Sequence, residues 1–177
     1  AAWPFLSTWK PSSKAKAAGA PVDVDISKLE SGQLVRVLWR KKPIWIFKRD
    51  EKALKELNSV EVVNNLADPN GTGNSKNQQP SYVTQKFRSI ENKESVAVIV
   101  GVCTHLGCSP TYRPEPGAAD LGGSSWKGGF YCPCHGSKFD LAGRVYAGVP
   151  APTNLVIPPY KYMTDTLIRI GIDPEIV

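Results

Sequence analysis

The sequence predicts an all-β fold: an antiparallel base domain interrupted by an inserted subdomain of short strands and loops, with one short helix. Three observations predict it. Fifteen Gly and fifteen Pro stand in a chain of 177 residues that is 41% hydrophobic, a balance that favours many short strands and turns over a helical bundle. Apolar and polar residues alternate at period two in the stretch after Pro21, as they do in strands buried on one face. All four cysteines and both histidines fall in two short loops, CTHLGC at 103–108 and CPCHGS at 132–137, so the chemistry is gathered in one part of the chain.

The elements follow in order. AAWPFLSTWKP is apolar and aromatic before turning polar at Ser12, as a chain does on leaving a membrane interface through a Trp belt; Trp3, Phe5, Leu6 and Trp9 equally suit an arm packed on the domain. SSKAKAAGAP is a linker or a short helix. Val22, Val24 and Ile26 alternate with Asp23 and Asp25 in a first strand. Leu34 to Trp39 make a second, and Ile44 to Phe47 a third, joined by a hairpin connection at RKKP. Asp50 can cap a helix over EKALKEL, which places Ala53, Leu54 and Leu57 on one face. VNNLADPNGTGNSKNQQP is a polar loop, expected to be an exposed insertion. SVAVIVGV at 95–102 is a buried strand that delivers Cys103 at its end. LVIPPYKYM and TLIRIGI are closing strands about a Thr-Asp turn, returning to the first sheet. Trp39, Trp45 and Trp126 read as packing residues rather than electron relays.

The formal charge is +6, with 16 Lys+Arg against 10 Asp+Glu in residues 1–100 and 6 against 6 in residues 101–177. Lys41, Lys42, Lys48, Arg49, Lys52 and Lys55 are dispersed among acids, which fits a solvated basic surface and excludes a nucleic-acid stripe. No run of 18 apolar residues occurs, so no segment of this sequence spans a bilayer as a helix.

Cys103 and His105 are separated by one residue, and Cys132 and His135 by two, with one cysteine left over in each loop. A structural zinc site draws on CxxC and HxxxH pairs and leaves Cys108 and Cys134 unexplained. Two plain disulfides with bystander histidines suit an exported protein. Neither accounts for the C-x-H and C-x-x-H order, which suits a cluster with one thiolate-bound and one imidazole-bound iron.

The two boxes, 23 residues apart, match at every fixed position the C-T-H-x-G-C and C-P-C-H-G-S signature of the Rieske iron-sulfur proteins, and the chain closely resembles that family. GVPAPTNL at 148–155 looks like the family's proline-rich shielding loop, and the likeness covers most of the chain. The resemblance implies the Rieske fold and one Rieske-type 2Fe-2S cluster, with Cys103 and Cys132 on one iron, His105 and His135 on the other, and a disulfide between Cys108 and Cys134. It implies that Ser137 hydrogen-bonds a bridging sulfide and that Leu106, Pro150 and Pro152 contact or shield the site. Phe139 stands where many respiratory relatives have a Tyr donating to a ligand thiolate, which a phenyl ring cannot do.

Potentials known for Rieske centres run from about −150 to +300 mV, against about −400 mV for plant-type ferredoxins. The implied role is the iron-sulfur subunit of a quinol:cytochrome c reductase of proteobacterial type. Quinol in cytochrome b would give an electron and a proton through His135 or His105, and a membrane c-type cytochrome would take the electron. A molybdenum-oxidase or plastoquinol-oxidising relative and an oxygenase ferredoxin are the alternatives; the latter generally lacks the extra cysteine pair.

The expected organisation is 1–20 as the end of a membrane anchor and a hinge, 21–102 as the first part of the base domain, 103–150 as the cluster-binding subdomain, and 151–177 as closing base strands. An anchor helix upstream of Ala1, in the inner membrane with the head on the periplasmic side, completes the expectation; nucleic acid is not an expected partner.

Overall fold

The computed structural model describes residues 19–174, so the apolar opening stretch and the SSKAKAA linker lie outside the described residues. Among the described residues nine strands form three antiparallel sheets of three. The first sheet pairs β1 (Val22–Asp25) with β9 (Leu167–Ile170), and β9 in turn with β8 (Tyr160–Tyr162). The closing strands therefore return to the opening one, as the sequence predicts. Val24 is buried while Asp23 points outward to a bidentate pairing with Arg169 across the sheet, Nε to Oδ1 at 2.6 Å and Nη2 to Oδ2 at 2.7 Å.

The second sheet runs β2 (Leu34–Trp39), β3 (Lys42–Lys48) and β4 (Val96–Val100). Register Trp39 to Lys42 leaves a two-residue turn, with Arg40 at φ 49° and Lys41 at φ 62°. Two left-handed residues match the twist of a hairpin but normally call for Asn-Gly; here Arg40 recovers contact by lying 4.5 Å above the Trp39 ring. Ile44, Trp45, Ile46 and Phe47 are fully buried, and every residue of β4 is buried, so the continuous branched run has apolar neighbours on both faces.

Helix α1 (Glu51–Leu57) starts where Asp50 accepts the Ala53 N–H at 2.7 Å, and Leu57 is its buried residue. A second short helix, α2 (Val60–Asn64), follows at once, with Ser59 Oγ accepting the Val62 N–H. Its five residues are too few to give a periodic signal in the sequence.

The third sheet, β5 (Thr111–Arg113), β6 (Gly129–Tyr131) and β7 (Lys138–Asp140), falls wholly between residues 103 and 150. It packs on the second sheet through aromatic rings. Phe130 stacks on Trp45 with centroids 4.9 Å apart and meets Phe47 edge-on at 5.3 Å, with Tyr112 at 5.4 Å. Such pairs add about 0.5–1.5 kcal/mol each beyond burial. Trp39, Trp45 and Trp126 are all buried, as their packing assignment requires.

Two sequence expectations are corrected. Arg49 belongs to no solvated surface: it is 3% exposed and joins Arg88 and Arg144 in the interior. Its guanidinium donates to the carbonyls of Phe87, Leu141 and Glu94 and to Ser89 Oγ. Arg88 donates to the carbonyls of Gln78, Ala142, Gly143 and Leu155 and to Gln79 Oε1. Burial pulls the two guanidinium pKa values down to about 10 and about 9, so both remain charged at neutral pH. Asp140 and Arg144 form a buried ion pair at 2.7 Å. Charge is tolerated inside because loop carbonyls saturate the donors, a pattern that composition does not reveal.

The polar stretch at 63–80 is the second correction. It is no free insertion: Leu66 bridges Tyr146, Ala67 N–H donates to Val145 O, Ala147 N–H to Asn65 O, and Ile157 N–H to Gln78 O. Half of the stretch is exposed, as expected, but its main chain and the buried Ser75 hydroxyl hydrogen-bond the chain around 145–157. Among the described residues no helix is long and apolar enough to cross a membrane.

Candidate metal centre

β4 ends at Val100, and three residues later Cys103 opens the first box; Cys132 opens the second one residue after β6. The two loops are the same turn made twice. Cys103 N–H donates to Cys108 O and Gly107 N–H to Cys103 O, while Cys132 N–H donates to Ser137 O and Gly136 N–H to Cys132 O. The fifth residue of each turn is left-handed, Gly107 at φ 84° and Gly136 at φ 78°. A side chain at either would meet open space, so the backbone conformation alone calls for glycine there.

Cys108 and Cys134 are joined in a disulfide that ties the loop tips together. Cys103 and Cys132 are free thiols, 3% and 2% exposed. Burial pushes the Cys103 thiol up, opposed by the His105 backbone N–H and the Ser137 hydroxyl, and Cys132 lies within hydrogen-bonding contact of it. The Cys132 sulfur also lies within 4.8 Å of both disulfide sulfurs, but those two are consumed by their bond and offer no thiolate. His105 and His135 meet edge-on, ring centroids 4.8 Å apart at 87°. His105 is half-buried and His135 exposed.

Two buried free thiols in contact with each other, and a pair of imidazoles carried by the same two loops, form a donor set that fits a 2Fe-2S group with mixed sulfur and nitrogen coordination. A model matching the Rieske [2Fe-2S] domain covers residues 21–161. The chain belongs to the Rieske family. Its cofactor is one Rieske-type 2Fe-2S cluster. The chain is 56% identical over 170 residues to the ubiquinol-cytochrome c reductase iron-sulfur subunit of Allochromatium vinosum, covering 96% of this chain and 78% of that one. It is 40% identical over 171 residues to the subunit of that name from Bradyrhizobium diazoefficiens, covering 97% and 83%. Among solved structures it is similar to a chain of a hyperthermophilic respiratory Complex III, at TM-score 0.54 and 24% identity over 93% of this chain and 86% of that one, a likeness of fold.

Around the Rieske centre the remaining sequence candidates take distinct places. Ser137 is fully buried, and its Oγ accepts the Ala151 N–H at 3.0 Å. Phe139 is fully buried in β7 opposite Phe130. Leu106 is 71% exposed, an apolar side chain at the tip of the first box. Pro150 and Pro152 are exposed and flank Ala151, which is the buried residue of the loop. Thr104, absent from the residues expected at the site, donates its hydroxyl to Thr153 O at 2.7 Å and so ties the same loop to the first box. Its place inside the C-T-H box was the available signal.

Proposed function

We propose that this chain is the electron-transfer subunit of a membrane-bound quinol:cytochrome c reductase, with its head on the periplasmic side and with cytochrome b and a c-type cytochrome as partners. Residues 103–150 form the cluster-binding subdomain, inserted between 21–102 and 151–177 of the base. Cys103 and Cys132 hold one iron, and His105 and His135 the other. The observation that carries this reading is that two loops bring together an edge-on imidazole pair and also carry two free buried thiols, with the remaining two cysteines closed in a disulfide.

The bound cluster supplies a one-electron acceptor of mild potential. The chain's own residues do the rest. His135, the more exposed imidazole, offers its outer nitrogen to the quinol hydroxyl and receives the proton there. Leu106 presents an exposed apolar side chain for the wall of the quinol pocket in cytochrome b. Ser137 and Thr104 hold the 148–155 loop against the boxes and keep water from the thiols.

The test is spectroscopic. Protein purified with its iron should hold two irons per chain, show nitrogen as well as sulfur donors by electron spin methods, and be reduced by a quinol in the assembled complex. Sulfur-only coordination would remove the ligand assignment, and failure of quinol to reduce a nitrogen-ligated centre would remove the proposed donor.

A further inference from the structure

The stretch at 65–78 supplies no group to the ligand set, yet it grips the chain on both sides of the shielding loop. We propose that it is a strap that positions the 148–155 loop over the metal centre, with Ser75 and Asn154 as the positioning pair; this deepens the function proposed above and rests on it.

Asn154 is 2% exposed and all of its polar groups but the main-chain carbonyl are spoken for. Its main-chain N–H donates to Ser75 Oγ at 2.9 Å, its Nδ2 donates to Asp68 O at 3.3 Å, and its Oδ1 accepts the Val145 N–H at 2.8 Å. One side chain thus joins the strap, the loop and the segment that leaves β7. Ser75 is itself 2% exposed. The strap has its own frame, because the Asp68 carboxylate accepts the N–H groups of Thr72, Gly73 and Ser75 and folds the ADPNGTGNS run into a turn. Beyond the loop, Arg88 takes Leu155 O at 2.6 Å and Gln78 O at 3.3 Å together, so strap and loop share one buried guanidinium.

From the opposite side the loop is held by the site. Ala151 N–H reaches Ser137 Oγ, and Thr153 O receives the Thr104 hydroxyl. The strap therefore fixes how closely Ala151 approaches Ser137. A hydrogen bond accepted on one lone pair of a serine oxygen restricts where its proton can point. With the Ala151 N–H on its oxygen, the Ser137 proton is directed away from Ala151, toward the Cys103 sulfur. Loosening the strap releases that rotor without touching a ligand.

The experiment is amide hydrogen exchange on iron-loaded full-chain protein, with Ser75→Ala beside Ser75→Thr. Losing one hydrogen bond of about 1.4 kcal/mol corresponds to a tenfold faster local opening. Ser75→Ala should speed exchange at Ala151 and Leu155 about tenfold, leave Val24 and Ile168 in the first sheet unchanged, retain two irons, and lower the reduction potential. Ser75→Thr, which keeps an oxygen at that place, should restore all of these. Unchanged exchange at Ala151 would overturn the proposal, and so would an increase spread evenly through the first sheet, which marks general destabilisation. Should Ser75→Ala not fold, Asp68→Asn weakens the strap's turn from its exposed side and is read in the same way. An iron-free parent protein would remove the functional reading, whereas the exchange pattern tests the strap regardless of the cofactor.

Discussion

Asp140 Oδ2 takes Arg144 Nε at 2.7 Å, while Asp140 Oδ1 accepts the N–H groups of Ala142 and Arg144, both at 2.8 Å; the two side chains are 2% and 3% exposed. Arg144 continues to Leu57 O at the end of α1. The pair joins the turn after the second box to the helix, starting five residues beyond a proposed ligand histidine. Removing one partner leaves a buried charge alone, which costs about 3–5 kcal/mol. Asp140→Asn should therefore lower unfolding free energy by that order in urea titrations, and a loss below about 1 kcal/mol would contradict the burial assigned to the pair.

Ser137→Ala removes an oxygen that both accepts from Ala151 and faces the sulfur of Cys103. If a hydrogen bond worth about 1.4 kcal/mol favours the reduced state, the one-electron potential should fall by about 60 mV. Potentiometric titration of the iron-loaded protein checks it, with an unchanged potential as the adverse result.

Phe139→Tyr brings a donor to a fully buried ring position in the strand that follows the second box. The hydroxyl needs a partner there, and a cluster thiolate is the acceptor the family pattern implies. The potential should rise by some tens of mV on the same scale of one hydrogen bond. A potential left unshifted on potentiometric titration would overturn the assignment of this position.

Acid should loosen the strap before it unfolds the molecule. Burial raises the Asp68 carboxyl pKa, but the backbone N–H groups of Ser75, Gly73 and Thr72 outweigh it and hold the carboxyl below the usual Asp value. A depressed native pKa means that the stabilisation is complete above the unfolded pKa and is lost as pH falls through the native one. Amide exchange within 68–75 should accelerate below about pH 4, and Asp68→Asn should flatten that pH dependence.

The disulfide closes a sequence separation of 26 residues. Loop entropy alone assigns it about 3–4 kcal/mol. Replacing both Cys108 and Cys134 by Ala should lower the denaturation midpoint accordingly, measured against the parent in the oxidised state.

Strands β1 to β4, β8 and β9 were legible because they carry their own signals: alternation at Val22 to Ile26, branched runs at 96–100, and the return of 160–170 to the opening strand; β5, β6 and β7, three residues each, are too short to show a period. The boxes were legible because cysteine and histidine occur nowhere else in the chain. Arg49, Arg88 and Arg144 were not, since a guanidinium buried among loop carbonyls has the same local sequence as one in water. The 63–80 stretch misled for a related reason. Its polarity signals turns correctly, but whether those turns meet solvent or Asn154 depends on contacts some 80 positions away.

The Trp45–Phe130 stack sets a limit on transplantation. A peptide cut at 103 and 150 would leave its central phenylalanine, and the tyrosine beside it, facing water where two base-strand aromatics now lie. Any graft of these boxes onto another scaffold has to carry a flat apolar platform of matching width, or the loops arrive without a floor.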